Sequence, residues 1–391
     1  MTRILIIGGG IIGVSSAYFL AAQGYEVLLL ERQPTLGSVT TAASLQAVRS
    51  QFADPVNIDF MRGSLAFYET FADRLDLPGH DIGFHQQGYL FVTTTEQGAA
   101  QLQARVAFQQ SHGLEDVAFL TGEALHRRFP YLAAEALAAT FRQRDGWLSA
   151  HEVIEGFRQA AARYRVTFRT RSRVEVLALA GGRVVGVRTP EGVEGADAVV
   201  LAAGPFTAGL AATIGVALPL AAVRRHRFVI GEHAAIPHTA PMTVDHDTGA
   251  HWRPEGPGAA LAWAEPEPPS PPEVVVSPDP GFPFRVLEGV YRLSPFWLQV
   301  AESLKRDQVF LHAGQYTVTP DHNPLIGPVP GQEELWINSG FSGHGVMAAP
   351  AAGQLLADLI AGRRPAAANP FALDRAGLGD GAAAGGEHMV I

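Results

Sequence analysis

The chain opens with the run ILIIGGGIIG, Ile4–Gly13, and this run decides the fold. Four aliphatic residues in succession predict a buried parallel strand. Gly8, Gly10 and Gly13 permit, in turn, a tight turn, close approach of a pyrophosphate and packing of a helix on the strand. The helix that follows directs its N-terminal amides toward the phosphates, so the run predicts a dinucleotide site.

The second strand of this unit, Tyr25–Leu30, ends at Glu31. An acid at the end of the second strand is placed to bind a ribose hydroxyl. The glycine pattern alone is weak evidence. A strand, glycines, a helix, a second strand and an acid in this order are strong evidence for a bound dinucleotide. The alternative is a glycine-rich turn between a strand and a helix that holds no ligand.

Length and composition indicate a globular enzyme of more than one domain. At 391 residues the chain is long for a single core, and 47% of its residues are hydrophobic. The formal net charge of −9 argues against nucleic acid or an anionic membrane as the main partner. The sequence has no cysteine, which excludes disulfides, thiolate metal sites and a flavin attached through cysteine sulfur.

The start of the sequence predicts neither a signal peptide nor a membrane span. The first strand begins near residue 3, which leaves no room for a charged segment and a cleavage site before it. The apolar stretch 4–22 contains a glycine cluster that argues against a span. We therefore expect a cytoplasmic enzyme without a membrane-spanning segment.

The rest of the chain alternates between helical and strand patterns, which predicts an α/β fold with a mainly parallel sheet and an added antiparallel piece. The strand patterns lie at 166–170, 173–179, 184–189 and 196–204, and helical patterns lie at 57–75, 95–112 and 151–164. Prolines between Glu265 and Phe284 predict a surface loop, and a helix is expected at 292–306. The Gly/Ala-rich tail from about 376 is expected to fray.

Two motifs in the last quarter of the chain are more specific. They are YTVTPDHNPLIG, Tyr316–Gly327, and INSGFSGHGVM, Ile337–Met347. With the Gly8 motif they resemble the FAD-dependent D-amino-acid oxidase superfamily, in the branch that holds sarcosine oxidases and the dimethylglycine and proline dehydrogenases. The resemblance runs from Gly8 to about Gly362 and favours FAD over NAD.

The resemblance implies a mixed α/β (α+β) fold, in which a Rossmann-like FAD-binding domain is interleaved with a mixed-sheet substrate domain. The implied FAD-binding segments are 1–83, 144–221 and 312–364. The implied substrate segments are 84–143 and 222–311. Residues 365–391 are expected to form a partly disordered tail.

The resemblance also implies which residues bind FAD. Those toward the ADP half are Gly8, Gly10, Ile11, Gly13, Glu31, Arg32, Val174 and Gly204. Those toward the pyrophosphate and flavin are Thr40, Thr41, Ser44, Gly340, Gly343, His344, Gly345, Val346 and Met347. Independently of the family, the glycine-rich loop before Gly345 predicts backbone amides against a flat ring and a helix N-terminus that stabilises negative charge on a reduced flavin. The alternative is an ordinary glycine-rich start of a helix.

The reaction implied by the resemblance is hydride transfer from the carbon beside an amine to flavin N5, followed by hydrolysis of the imine. Arg49 matches an arginine that pairs with the substrate carboxylate, and a structural ion pair is its alternative. Tyr316 matches an active-site tyrosine near the flavin, with core packing as the alternative. His344 is expected either to contact the flavin or to be structural.

Four positions depart from the family pattern. Gly314 stands where monomeric sarcosine oxidases carry the cysteine that attaches FAD, so we expect noncovalent FAD unless a histidine is attached. Ala42 and Gln46 replace a flavin-facing histidine and arginine. Met347 replaces a lysine that helps to bind the substrate carboxylate, which weakens the prediction of a carboxylate clamp.

The sequence contains one lysine, Lys305. It lies far in sequence from the region around Trp252 and Arg253, where monomeric sarcosine oxidases use a lysine to promote oxygen reduction. We therefore expect a poor oxidase that passes electrons to another redox protein rather than to O2. Arg253 is the cation that would otherwise take the place of the lysine.

Other interpretations stay open at this point. The main alternative to an enzyme acting on a small amino acid or amine is an FAD-binding subunit or assembly factor within a hetero-oligomer; an NAD dehydrogenase is more distant. His312, His322 and His344 lack metal-ligand spacing, so no metal is expected. The run Arg224–Arg227 either binds an anionic partner or belongs to an ion-paired strand, since its side chains alternate between two faces.

Overall fold

The computed structural model describes residues 2–378, and the predictions made for residues 379–391 lie outside this range. Its helices are α1 (Ile11–Ala22), α2 (Thr40–Ala43), α3 (Pro55–Tyr68), α4 (Phe71–Arg74), α5 (Glu96–Ser111), α6 (Gly122–Arg128), α7 (Ala150–Ala161), α8 (Thr207–Ala212), α9 (Phe282–Tyr291), α10 (Phe296–Ser303) and α11 (Gly345–Ile360). Short 3-10 helices lie at Gly204–Phe206, Arg306–Gln308 and Ala366–Ala368.

The strands of the described residues, in chain order, are β1 (Arg3–Ile7), β2 (Glu26–Leu30), β3 (Ala47–Val48), β4 (Tyr89–Thr93), β5 (Ala118–Thr121), β6 (Ala138–Arg142), β7 (Gly146–Trp147), β8 (Val166–Arg169), β9 (Val176–Ala180), β10 (Arg183–Thr189), β11 (Gly192–Gly195), β12 (Ala198–Leu201), β13 (Ala221–Ile230), β14 (Met242–Asp245), β15 (His251–Glu255), β16 (Gly258–Ala262), β17 (Pro269–Ser270), β18 (Val309–Val318), β19 (Leu325–Val329) and β20 (Gln332–Ser339).

A six-stranded sheet in the order β19-β20-β12-β1-β2-β8 forms one half of the fold. Its neighbouring strands are parallel, except that β19 and β20 form an antiparallel hairpin at the edge. Helices α1, α7 and α11 pack on one face, and the antiparallel sheet β9–β11 packs on the other. Because both faces are covered, the aliphatic run of β1 is buried throughout.

A nine-stranded mixed sheet forms the other half. Its order is β17-β13-β16-β15-β14-β4-β6-β5, and β18 is also paired to β13. The pair β4–β14 is parallel, and the other pairs are antiparallel. Helices α9 and α10 cover one face through a core that includes Trp252, Val286 and Trp297. This sheet reaches the six-stranded sheet through β18, which continues along the chain into β19.

The predicted fold class, α/β with mixed sheets, is confirmed. The six-stranded sheet takes its strands from three separated parts of the chain, and the larger sheet takes its strands from the parts between them. The domain boundaries stay a prediction. β18 begins at Val309, before the predicted boundary at 312, and is paired with β13 of the larger sheet along its whole length.

Two local predictions are wrong. The helix expected at 292–306 is shorter than predicted, because α10 begins only after Pro295 and ends at Ser303, while the preceding helix α9 was not predicted. The proline-rich loop ends earlier than Phe284, since α9 begins at Phe282 with Pro283 in its first turn, where a missing N–H is tolerated. Within the predicted tail, Phe371 is buried and Arg375 pairs with Asp321 at 2.8 Å.

Candidate active site

One cleft opens at the carboxyl ends of β1, β2, β12 and β20. Ligands of open α/β sheets bind at this edge of the sheet. The volume of the cleft, about 340 Å3, lies within the ~300–1,000 Å3 of sites for small ligands and cofactors. The predicted residues that line the cleft are Gly8, Gly10, Ile11, Glu31, Arg32, Thr40, Thr41, Ser44, Val174, Gly204, Tyr316, Gly340, Gly343, Gly345 and Val346.

The three glycines at the start of α1 have different structural roles. A Cβ atom on Gly8 would lie 2.4 Å from the carbonyl oxygen of Ala202, and Gly8 has a φ of +111°. A Cβ on Gly13 would lie 1.9 Å from the Gly8 oxygen, so Gly13 lets the helix pack on the turn and does not itself line the cleft. Gly10, the N-cap residue, provides no side-chain cap for α1. The Ile11 N–H donates to the Thr41 hydroxyl, and the next amides of α1, at Ile12 and Gly13, have no side-chain cap and stay available to an anion.

Glu31 lies at the end of β2 and is 9% exposed. Its carboxylate accepts hydrogen bonds from the backbone N–H groups of Gly9 at 2.7 Å and Gln33 at 2.6 Å. These bonds fix the side chain at the rim of the cleft. The neighbouring Arg32 guanidinium lies 4.6 Å from the ring centre of Phe206, across the same end of the cleft. This arrangement is suited to a ribose and an adenine.

The segment around α2 joins the two halves of the site. The hydroxyl of Thr41 accepts a hydrogen bond from the Ile11 N–H at 3.3 Å, at the start of α1. The hydroxyl of Thr40 donates to the carbonyl oxygen of Gln315 on β18 at 3.3 Å. The Ser44 hydroxyl closes the turn by donating to the Thr41 carbonyl at 2.8 Å. The small helix thus links the phosphate end of the cleft to the nine-stranded sheet.

A second helix N-terminus opens on the same cleft. The loop before α11 has positive φ at Gly340, Ser342 and Gly343. A Cβ on Gly343 would lie 2.5 Å from Cε2 of Tyr316, so this loop passes directly against the tyrosine ring. His344 is the N-cap of α11 and makes no side-chain capping bond. The first amides of α11, at Gly345 and Val346, therefore face the cleft without a side-chain cap.

Two predicted residues next to this loop lie behind the cleft wall rather than in it. His344 is buried, and its ring lies 5.2 Å from the ring of Phe52. Burial, with the nearby Arg49 charge, lowers the pKa of His344 to about 3, so its ring is neutral at pH 7. Its Nε2 forms no hydrogen bond with the residues that the structure describes. Met347, in the first turn of α11, packs in the hydrophobic core.

Arg49 also lies away from the cleft lining. It has no exposed surface, and its guanidinium lies 4.1 Å and 5.5 Å from the ring centres of Phe52 and Phe91. Nη1 donates to the carbonyl oxygen of Gln51. The role of Arg49 as a carboxylate clamp stays a prediction, as do the roles assigned to the other site residues. Tyr316 does line the cleft, and burial raises its pKa, so its hydroxyl is protonated at pH 7.

Packing against α2 leaves no room for a side chain at position 314, where monomeric sarcosine oxidases have a cysteine and this chain has glycine. A Cβ on Gly314 would lie 2.6 Å from the Cβ of Ala43 in α2. Any side chain at 314 would push α2 away from β18, and with it the hydroxyl of Thr40. The close packing of α2 against β18 therefore has no space for a cysteine side chain at this position.

Arg253 and the run Arg224–Arg227 stood out in the sequence, but the sequence did not predict that the larger sheet brings three of these arginines toward this end of the cleft. Arg225 and Arg227 project from β13, and Arg253 projects from β15. The Arg225 guanidinium lies 5.5 Å from the ring centre of Tyr316. Arg253 donates to the carbonyl of Leu45 at 3.0 Å, and burial lowers its pKa to about 10, so it stays charged at pH 7. The signal was present in the alternation along Arg224–Arg227, but it did not indicate which face meets the cleft.

Residues 2–378 contain no cluster of three or more histidine, aspartate or glutamate side chains placed to hold a metal ion. In the same range, no helix has both the length and the apolar character required to span a membrane.

Comparison with known proteins identifies the family. The profile described as DAO, FAD dependent oxidoreductase, matches residues 3–359. The chain belongs to this family. FAD-dependent oxidoreductase domain-containing protein 1 of Xenopus laevis is 28% identical over 91% of the chain and 78% of its own length. Glycine oxidase of Geobacillus kaustophilus is 29% identical over 95% of the chain and 96% of its own length.

The fold of this FAD-dependent oxidoreductase is also found in solved structures. L-proline dehydrogenase from P. horikoshii superposes with a TM-score of 0.84 at 25% identity, over 95% of this chain and 96% of that one. The cleft fits the cofactor of the family. Two helix N-termini without side-chain caps and the acid Glu31 lie along it, and Gly8 and Gly343 occupy positions where a side chain would collide. FAD is the cofactor of this enzyme.

Proposed function

We propose that this FAD-dependent oxidoreductase oxidises the C–N bond of a secondary or N-methyl amino acid, such as sarcosine, proline or a glycine derivative. The observation that carries the proposal is the placement of Tyr316. Its ring lies against Gly343 at the α11 end of the cleft, opposite the end that carries Glu31. The L-proline dehydrogenase that resembles this chain is named for a secondary amino acid, and the glycine oxidase is named for the amino acid from which sarcosine derives by N-methylation.

The bound FAD supplies the hydride acceptor, and the protein supplies binding, orientation and electrostatics. The first amides of α1 would hold the pyrophosphate, and those of α11 would stabilise the negative charge that reduction places on the flavin. Because His344 is neutral at pH 7, the backbone of α11 rather than an imidazolium provides this stabilisation. With a protonated hydroxyl, Tyr316 is suited to orient the substrate and to exclude water from the ring.

We also propose that the protein is a dehydrogenase with noncovalent FAD. The sole lysine, Lys305, is exposed and lies outside the cleft, so a lysine cannot assist oxygen reduction there. Arg253 is a cation near this region, but it is bonded to Leu45, Pro254 and Glu255. Electrons would then leave to another redox protein, in a hetero-oligomer or by transient contact.

Anaerobic flavin reduction tests the reaction. The FAD-loaded protein is mixed with sarcosine, L-proline, dimethylglycine and glycine in turn, and loss of the oxidised-flavin absorbance is followed. We expect at least one of these amines to reduce the flavin completely. A flavin that stays oxidised with all of them, together with a partner protein that co-purifies, would instead support an FAD-binding subunit or assembly factor.

Stopped-flow reoxidation in air tests the acceptor. After anaerobic reduction, the protein is mixed with air-saturated buffer and recovery of the flavin absorbance is timed. We expect recovery over seconds or longer. Recovery within milliseconds would contradict the dehydrogenase proposal and leave the amine reaction intact.

A further inference from the structure

Three arginines project from one face of the nine-stranded sheet, and two of them already have partners. Arg227 pairs with Glu255 and donates to the carbonyl oxygen of Ser44 at 3.3 Å. Arg253 lies 3.1 Å from the same Glu255. These two side chains therefore anchor the sheet to the segment that follows α2. They have structural partners that a substrate would have to displace.

The third arginine, Arg225, is different. It lies opposite Gly314 in the β13–β18 register, so the two residues share a face, and Gly314 packs against Ala43 of α2. Its guanidinium lies 5.5 Å from the centre of the Tyr316 ring, which lines the cleft. Arg225 is only partly buried, whereas Arg49 and Arg253 are almost completely buried. Arg225 does not itself line the cleft, but it keeps exposed surface beside Tyr316, which does.

Most of the hydrogen-bonding capacity of Arg225 is unused. A guanidinium has five N–H donors. Nη1 of Arg225 donates to the Arg224 carbonyl oxygen at 2.9 Å, while its Nε is buried and bonds to none of residues 2–378. No carboxylate in this range forms an ion pair with Arg225. A half-buried cation without a counter-ion is unfavourable unless an anion joins it.

The two nearest acids are engaged elsewhere. Glu267 pairs with Arg224, on the opposite face of β13, at 3.1 Å. Glu265 pairs with Arg285 at 2.8 Å. Both acids belong to the proline-rich segment, which is also held to β18 by bonds from the Gln315 side chain to Ser270 and Pro271. The segment thus lies beside Arg225 without neutralising it.

We infer that Arg225 binds the carboxylate of the substrate. A guanidinium fork matches a carboxylate geometrically, and Tyr316 beside it would contact the rest of the molecule. The inference rests on the proposed function and names the side chain that holds the carboxylate of that amino acid. It also assigns the carboxylate to a residue on β13 rather than to Arg49.

Acetate binding tests the inference without turnover. The FAD-loaded protein is titrated with acetate, and the change in the flavin absorption spectrum gives a dissociation constant. Acetamide, which is similar in shape but uncharged, is the ligand control. We expect Arg225→Ala to weaken acetate binding about 10- to 100-fold, as for loss of a charge-assisted pair. Arg225→Lys keeps the charge but loses the fork, so a smaller loss of at least about threefold is expected.

Arg224→Ala, made together with Glu267→Gln so that no carboxylate is released beside Arg225, is the matched control variant. It removes the same guanidinium one residue away, on the other face of the strand, and should change acetate binding less than about twofold. Equal losses in the Arg224 and Arg225 variants would overturn the inference, because they would not depend on which arginine is removed. Wild-type acetate binding by Arg225→Lys would overturn it as well, even if Arg225→Ala failed to fold. Flavin content shows which variants are folded.

Two substrates separate the position of the carboxylate from the reaction itself. Sarcosine carries its carboxylate one carbon from the methylamine, and 4-(methylamino)butanoate carries it three carbons away. For whichever of them reduces the flavin, Arg225→Ala should raise the half-saturating concentration about 10- to 100-fold, and Arg224→Ala with Glu267→Gln should not. If neither they nor the other amines reduce the flavin, the proposed function fails, while acetate binding still decides the role of Arg225.

Discussion

The two ends of the cleft are built in different ways. The end that carries Glu31 is built around a single stretch of chain, β1–α1–β2, whose chemistry lies in backbone amides and one acid. The end that carries Tyr316 is made by β13, β18 and the loop before α11, which come from separate parts of the sequence. The first end depends on the absence of side chains, and the second depends on which side chains converge. The comparison teaches that cofactor binding and substrate selection can be damaged independently.

The largest effect is expected when a side chain is added to the glycine turn at the end of the cleft that carries Glu31. Gly8→Ala places a Cβ 2.4 Å from the backbone oxygen of Ala202, which cannot move without disturbing β12. We expect a loss of about 3 kcal/mol or more in the free energy of unfolding, and protein that retains no FAD. Urea unfolding and flavin content measure both.

Gly24→Ala is the control for this change. Gly24 also has a positive φ, of +93°, but no atom lies within 4 Å of its would-be Cβ. Its loss should be limited to about 1–2 kcal/mol of backbone strain, with FAD retained. Equal losses of stability and of FAD in Gly8→Ala and Gly24→Ala would show that backbone strain at positive φ, rather than collision of the Cβ with Ala202, determines the effect.

A matching change at the second end should leave the cofactor in place. Gly343→Ala places a Cβ 2.5 Å from Cε2 of Tyr316, and a side chain can shift where backbone cannot. We expect flavin content near that of the wild type and a fall of about 10- to 100-fold in the rate of flavin reduction by an amine. Gly362→Ala is the control, because Gly362 also has a positive φ but has open space around it, just after α11 ends. In this variant the amine should reduce the flavin at the wild-type rate. Loss of FAD from Gly343→Ala would contradict the independence of the two ends.

Glu31→Gln should weaken the first end without unfolding it. The amide keeps one acceptor oxygen but loses the charge that accepts two backbone N–H bonds and faces the ribose. We expect FAD affinity to fall about 10- to 30-fold, as measured by the recovery of flavin fluorescence on dilution. Glu26→Gln, at the opposite end of β2, removes an acid whose pairing with Arg3 is largely exposed, and should change FAD affinity less than about twofold.

The smallest expected effect concerns pH and the buried histidine behind the second end. The pKa of His344 is about 3 in the folded protein and close to 6.5 when the chain is unfolded. Between these values the unfolded chain binds a proton that the native protein excludes, so His344 makes stability fall as pH falls. The slope it contributes is at most about 1.4 kcal/mol per pH unit.

His344→Gln should therefore make stability less dependent on pH between 6 and 4, as measured by urea unfolding at several pH values. His251 is buried with a pKa of about 4 and keeps part of the dependence in this variant. His312→Gln, which changes an exposed ring, is the control. A His344 variant with the slope of the wild type would contradict the buried neutral ring.

The contrast between the two ends of the cleft also explains which features could be predicted from the sequence. The boundaries of β1 and β2, and the placing of Glu31 beside the glycine turn, were predicted closely, because they depend on neighbours within thirty residues or so. The α11 loop was also predicted to meet the cleft, since its glycines mark it. The lining of the cleft by Thr40, Thr41 and Ser44 came from family resemblance rather than from any local pattern.

The substrate end was predicted less well for a physical reason. Alternation along Arg224–Arg227 shows that Arg225 and Arg227 share a face of the sheet. The neighbouring residues on that face belong to β18, which lies some ninety residues further along the chain. Arg224 and Arg227 are ion-paired, as one of the two interpretations of the run expected, whereas Arg225 is not. Arg49 matched a family position, and nothing in the sequence showed that it is packed between aromatic rings. The predicted cytoplasmic location stays a prediction.

The scarcity of nucleophilic side chains has a practical consequence. With no cysteine in the sequence and Lys305 as the sole, surface-exposed lysine, a cysteine introduced at a chosen site would be its only thiol. Val275, which is 83% exposed in the proline-rich segment, is one such site. A dye attached there would exchange excitation energy with the flavin with an efficiency that falls steeply as their separation grows. Movement of this segment during catalysis is thus open to direct observation by single-molecule fluorescence.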